Sequence, residues 1–171
     1  MHKQPTAVKT CKINKGTRMT SYTTPKLHGA CECGTCAFEL SVTPTTRFIC
    51  HCTICQAFTG KPYADMTIVR AKHLRLINTD QISFKKYRPP PNIDRGLCLN
   101  CKKPVVEFGG LGPLKWAFIP ASNFESQALL PAPQMHLFYN RHVKEALDNL
   151  PKHSGYFRSQ IAISKMLVKS F

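Results

Sequence analysis

The chain has 171 residues, 43% of them hydrophobic, with 24 Lys and Arg against nine Asp and Glu for a formal charge of +15. That is the length of one domain with one sizeable core, and no apolar run is long enough for a membrane-spanning helix. The nine cysteines are an odd number with no secretory-type apolar stretch behind the basic start, so the expected setting is a reducing cytoplasm and metal thiolates rather than paired disulfides.

Residues 1–25 read as a basic extension, expected to be poorly ordered, with Lys3, Lys9, Lys12, Lys15 and Arg18; the first 28 residues hold no acid. Such a composition also suits an organelle transit peptide, but a convincing amphipathic helix is missing. Cys11 lies in this stretch and reads as a free thiol. Residues 26–158 read as the domain. Within it, 36–42 alternates, with Phe38, Leu40 and Val42 on one parity, and similar short runs cover 47–50, 63–69, 73–77, 82–87, 105–108 and 116–119. Pro89-Pro90-Pro91 and the Gly-rich 109–113 punctuate them as loops. Many short strands between Gly/Pro turns predict a mainly β, antiparallel architecture. A helical turn is expected over 56–60. One helix is predicted over 143–150, where Val143, Ala146, Leu147 and Leu150 recur at helical spacing before Pro151. The tail 159–171, with Ile161, Ile163, Met166, Leu167 and Val168, fits a docking helix, a strand or an interaction segment.

Three cysteine clusters carry the chemistry: Cys31-Glu32-Cys33, Cys50-His51-Cys52-Thr53-Ile54-Cys55 and Cys98-Leu99-Asn100-Cys101. Short C-x-C and C-x-x-C elements offer two thiolates from one turn, and tetrahedral zinc wants four. The first and third clusters together would make a filled, structural site. The middle cluster offers three thiolates, which is the arrangement of a zinc with a free fourth position. Two structural zincs, the second completed by His51 or a distant histidine, would use the same cysteines. His51, between two ligands, is expected to be an exposed neighbour rather than a ligand. Cys36 sits in an alternating strand and reads as a small buried hydrophobe.

The stretch 28–34 (His28-Gly29-Ala30-Cys31-Glu32-Cys33-Gly34), then 50–56, then Cys98-Leu99-Asn100-Cys101, resembles the glutathione-dependent formaldehyde-activating enzyme (GFA) family, which includes centromere protein V-like members. His136-Leu137-Phe138-Tyr139 and Leu150-Pro151-Lys152 are similar to the family's closing segment, so the likeness covers roughly 26–157. The resemblance implies a β-tent fold, mainly antiparallel β with small zinc-stabilised sheets, to which the spacing read above adds one short C-terminal helix. It implies a structural zinc on Cys31, Cys33, Cys98 and Cys101, and a catalytic zinc on Cys50, Cys52 and Cys55. The activity it implies is that of a carbon–sulfur lyase joining glutathione and formaldehyde. Three features depart from the family: Lys102 follows the last C-x-x-C where Gly is usual, Cys36 replaces an aliphatic residue, and the N-terminal extension has no counterpart in shorter members.

For that chemistry a thiolate-rich zinc would activate the glutathione sulfur rather than polarise the carbonyl. His51, His73 and water are the proton donors the sequence offers. Lys61, Arg70 and Arg95 are the candidates for a rim that holds the glutathione carboxylates. The rival expectation is a zinc-stabilised β module that binds nucleic acid or an acidic partner through Lys85-Lys86-Tyr87-Arg88 and Lys102-Lys103. Seven thiolates (−7) and two zinc ions (+4) would bring the chain from +15 to about +12. Six of the positive groups fall within the first 28 residues. The domain is thus less basic than the chain, which disfavours the nucleic-acid alternative.

Overall fold

A computed structural model describes residues 26–87 and 93–170. The basic extension, Cys11 and the triple proline lie outside them. One antiparallel sheet joins β1 (Leu27–Ala30), β2 (Ala37–Leu40) and β5 (Leu74–Ile77), in the order β1-β2-β5. The larger sheet contains β3 (Thr46–Cys50), β4 (Ala64–Arg70), β6 (Ile82–Lys86), β7 (Asp94–Cys98), β8 (Pro104–Gly109) and β9 (Trp116–Pro120). The two-residue strands β10 (His136–Leu137) and β11 (Lys152–His153) complete it in the order β11-β10-β3-β4-β9-β8-β7-β6. Pairing is antiparallel throughout except that β10 runs parallel to both β3 and β11. All seven runs expected from alternation contain a strand, and the mainly β architecture holds.

Period-2 alternation explains why two apolar clusters form. On β4, Val69 enters a cluster with Leu27, Phe38, Leu40, Cys98 and Ile119, whereas Met66 and Ile68 enter a second with Phe48, Cys50, Cys55 and Leu137. Phe38 meets Phe124 edge-on at 5.2 Å. Full burial of a side chain such as Phe38 or Leu40 contributes about 1.5–3 kcal/mol. Cys31, Cys98 and Cys101 belong with the first cluster, and Cys50, Cys52 and Cys55 with the second.

The first helix, α1 (Thr53–Thr59), begins where the Cys52 sulfur accepts the Cys55 N–H at 3.3 Å and ends at Gly60 in the left-handed region. The helix predicted over 143–150 does not form. Val143 and Leu147 are exposed there, and side chains tie the segment down. The Tyr139 hydroxyl accepts the Ala146 N–H, the Asp148 carboxylate accepts the Leu150 N–H, and Lys152 Nζ donates to the Ala146 and Asp148 carbonyls. Those local bonds satisfy backbone groups that a helix would otherwise pair. The C-terminal helix is instead α2 (Tyr156–Lys169). Ser159, Ala162 and Met166 share its buried face, and Ala162 and Met166 join the second apolar cluster. The Ser159 hydroxyl accepts the Phe138 N–H at 2.9 Å, fixing the helix to the end of β10. No helix of the described residues is long and apolar enough to cross a membrane.

Candidate metal centres and the chamber beside them

Cys31 follows β1 and Cys33 lies in the turn to β2, while Cys98 ends β7 and Cys101 lies in the turn to β8. Their four sulfurs lie within 4.8 Å of one another, with Cys31–Cys33 at 3.5 Å and Cys33–Cys98 at 3.8 Å. A tetrahedron with sulfur arms of about 2.3 Å has edges of about 3.8 Å, so this donor set fits a zinc-sized ion. Donors already face the sulfurs: the Cys36 N–H points to Cys31 Sγ at 3.3 Å and Asn100 Nδ2 to Cys33 Sγ at 3.5 Å. The Thr35 hydroxyl and N–H beside it hold the Cys33 thiol down to about 5. Cys36 is fully buried in the first cluster, as expected, and burial pushes its thiol up.

In both pairs the residue after the second cysteine turns left-handed: Gly34 at φ 78° and Lys102 at φ 58°. The Lys102 N–H then closes the turn onto the Cys98 carbonyl at 2.9 Å. Glycine adopts this conformation freely and an L side chain pays for it. Lys102→Gly is therefore expected to stabilise the metal-loaded protein by about 0.5–1 kcal/mol. Urea titration checks this; a lower midpoint would show that Lys102 makes a compensating contact.

Cys50 ends β3, Cys52 caps α1, and Cys55 lies in its first turn. Their sulfurs also lie within 4.8 Å of one another, and no histidine or carboxylate of the described residues joins them. The thiols of Cys50 and Cys55 hold Cys52 down to about 3, while Cys50 and Cys55 themselves are pushed up. Close thiolates repel one another, and a cation between them would let all three ionise. The donor chemistry therefore fits a soft or borderline metal ion.

His51 is 3% exposed, not the exposed neighbour expected. Alternation turns it to the opposite side from Cys50 and Cys52, where its Nε2 meets His136 Nδ1 at 2.9 Å and His136 Nε2 meets the Asp148 carboxylate at 3.0 Å. Burial, then His136, pulls its pKa down to about 4, so the ring is neutral at physiological pH. It lines a separate cavity of about 300 Å³ together with His136 and Asp148. Its role here is to hold the cysteine loop: its N–H donates to Leu137 and its carbonyl accepts Gln56 Nε2.

The three-cysteine group opens on a chamber of about 750 Å³. Among its walls is Glu107 on β8, a carboxylate that sequence reasoning missed. Its side chain is 5% exposed, Oε2 lies 3.1 Å from Arg95 Nε, and Oε1 has no hydrogen-bond partner. Burial pushes the carboxyl up to about 7 against the pull of Arg95. The signal that could have revealed it is a lone acid inside the apolar run Val105-Val106-Glu107-Phe108, directly opposite Arg95 in the β7–β8 register. Of the rim candidates only Arg95 lines the chamber. Arg70 is buried over the Trp116 ring and donates to the Pro113 carbonyl, and Lys61 is exposed elsewhere. His73 bonds Ser41 outside the chamber. Lys115 and Arg141, which were not expected, do line it.

A family model described as glutathione-dependent formaldehyde-activating enzyme matches residues 26–141. The matched span contains all seven clustered cysteines and Glu107, and it ends before α2. A crystal structure of a Rhodobacter sphaeroides protein aligns with a TM-score of 0.50 at 17% identity, covering 62% of this chain and 97% of that one. That likeness concerns the fold. No curated protein matches the chain.

Proposed function

The chain belongs to the glutathione-dependent formaldehyde-activating enzyme family, and from that premise we propose that it is a zinc-dependent carbon–sulfur lyase of the cytoplasm. It adds a thiol, glutathione, to formaldehyde or a related small electrophile. Cys31, Cys33, Cys98 and Cys101 hold a structural zinc, and Cys50, Cys52 and Cys55 a catalytic one, two ions per chain. The observation that carries this reading is the placement of three clustered thiols and a buried, half-paired carboxyl on the walls of one chamber.

When bound there, zinc supplies positive charge that favours the thiolate form of an incoming thiol. The chain's own residues do the rest. Lys115 and Arg141, which make no ion pair among the described residues, attract the carboxylates of glutathione. In the addition, the thiol S–H bond breaks, a C–S bond forms, and the carbonyl oxygen becomes a hydroxyl. The Glu107 carboxylate accepts the thiol proton and returns it to that oxygen. A carboxyl held near neutrality suits both halves of the transfer.

The test is the rate of adduct formation from glutathione and formaldehyde, followed by NMR against the uncatalysed rate. Glu107→Gln is expected to cut the catalysed rate about 10²–10⁴-fold while zinc content stays unchanged. An unchanged rate would remove Glu107 from the mechanism, and a wild-type protein no faster than water would sink the enzyme reading. The nucleic-acid alternative would use Lys85, Lys86, Lys102 and Lys103; the exposed contacts of Lys86 with Asp94 and of Lys103 with Glu32 neutralise little of that charge.

A further inference from the structure

The chamber is roomy, and much of its lining is apolar. Its volume of about 750 Å³ lies in the upper part of the ~300–1,000 Å³ range of small-molecule sites. Its apolar lining comes from the sheet face of Phe48, Met66 and Phe118 and from α2, through Tyr156, Ile163 and Leu167. Ala162 and Met166 anchor that helix in the second apolar cluster, leaving Ile163 and Leu167 only partly buried beside the open space. The helix lies outside the residues matched by the family model. Charge enters at other points. Lys115 lies 4.6 Å from the centre of the Phe108 ring, and Arg141 donates to the Thr53 hydroxyl, so neither cation is neutralised by an acid.

A ligand that satisfies both ends is an anionic amphiphile. We propose that the site takes aldehydes with a multi-carbon apolar tail, joined to an anionic thiol of the glutathione type, with the tail seated against the apolar lining that the sheet and α2 supply. The inference rests on the reading above for the thiol and adds the class of the electrophile. The bond changes are unchanged: C–S forms, S–H breaks, and the proton ends on the former carbonyl oxygen. Only the substituent on the carbon differs. The tail gains by leaving water for a preformed apolar wall, and the anionic end gains from two unneutralised cations.

Isothermal titration of the zinc-loaded full chain with glutathione and its S-methyl, S-butyl and S-hexyl thioethers tests this. These stable compounds mimic the adduct. Straight-chain 1-alkanols of two to eight carbons form a thiol-free second series. The expected result is a rise of about fourfold in affinity per methylene in both series, and a flattened slope in Leu167→Asn but not in the conservative Leu167→Met. A flat thioether series overturns the inference while leaving glutathione binding intact. Rising alkanols with flat thioethers overturn it as well, because the chamber would then not accept a sulfur-borne group. If no glutathione compound binds but the alkanols rise and Leu167→Asn flattens them, the thiol assignment fails and the apolar-tail assignment stands.

Discussion

Cys98→Ala is expected to leave the chain without a cooperative thermal transition. Cys98 is fully buried at the end of β7, opposite Ile82 of β6, and its sulfur lies 3.8 Å from Cys33. Cys33 belongs to the turn between β1 and β2, so the four-cysteine group ties the three-stranded sheet to the eight-stranded one. A structural zinc of this kind contributes about 10–16 kcal/mol in apparent binding free energy. A whole domain is stable by only about 5–15 kcal/mol. Losing one of four thiolates therefore removes an amount comparable with the net stability. The alanine also leaves a small void in a cluster that includes Ile82 and Val106. Circular dichroism melting and metal analysis read the outcome together. A variant that melts within a few degrees of the parent would show that the four cysteines are not a structural metal site.

What the sequence makes legible here is whatever is local. Alternation along 36–42 or 63–69 is set by neighbours two residues apart, and β2 and β4 appear there. The C-x-C and C-x-x-C pairs are likewise complete within one turn, and the structure brings the two distant pairs together as expected. The misses are all tertiary. Strand β7 reads as Asp-Arg-Gly-Leu-Cys, with a glycine that looks like a breaker; Gly96 is small because a Cβ there would meet Ile82 Cγ2 at 2.8 Å. Strands β10 and β11 have two residues each and exist only through parallel pairing to β3 and to each other. The apolar spacing of Val143, Ala146, Leu147 and Leu150 is genuine, but the Tyr139 hydroxyl and the Asp148 carboxylate capture the backbone first. His51 misleads for a related reason. A residue between two ligands looks exposed until a second chain segment, bearing His136, covers its face. Glu107 needed the β7–β8 register to be seen as half of a buried pair.

Cys52→Ala is expected to have the opposite profile from Cys98→Ala: a folded protein that has lost one zinc per chain and all acceleration over the uncatalysed reaction. Cys52 is half-buried at the start of a seven-residue helix, and Cys55 and Phe58 bury that helix independently of it. What the fold loses directly is a cap, the Cys55 N–H to Cys52 Sγ bond, worth about 0.5–2 kcal/mol. What the site loses is one of only three clustered sulfurs, the one whose thiol its two neighbours hold lowest. Two thiols cannot hold the ion that three hold, so the metal leaves and the rate falls to background. Cys52→Ser separates the two roles. Its hydroxyl can accept the Cys55 N–H and is expected to recover most of the capping loss, yet it is a poor ligand for zinc and should recover neither metal nor activity. Thermal melting, zinc content and adduct formation measured on both variants give three independent readings. If Cys52→Ser recovers the cap but the protein still unfolds with its metal gone, the three-cysteine centre is structural, and the chamber beside it is not a reaction site.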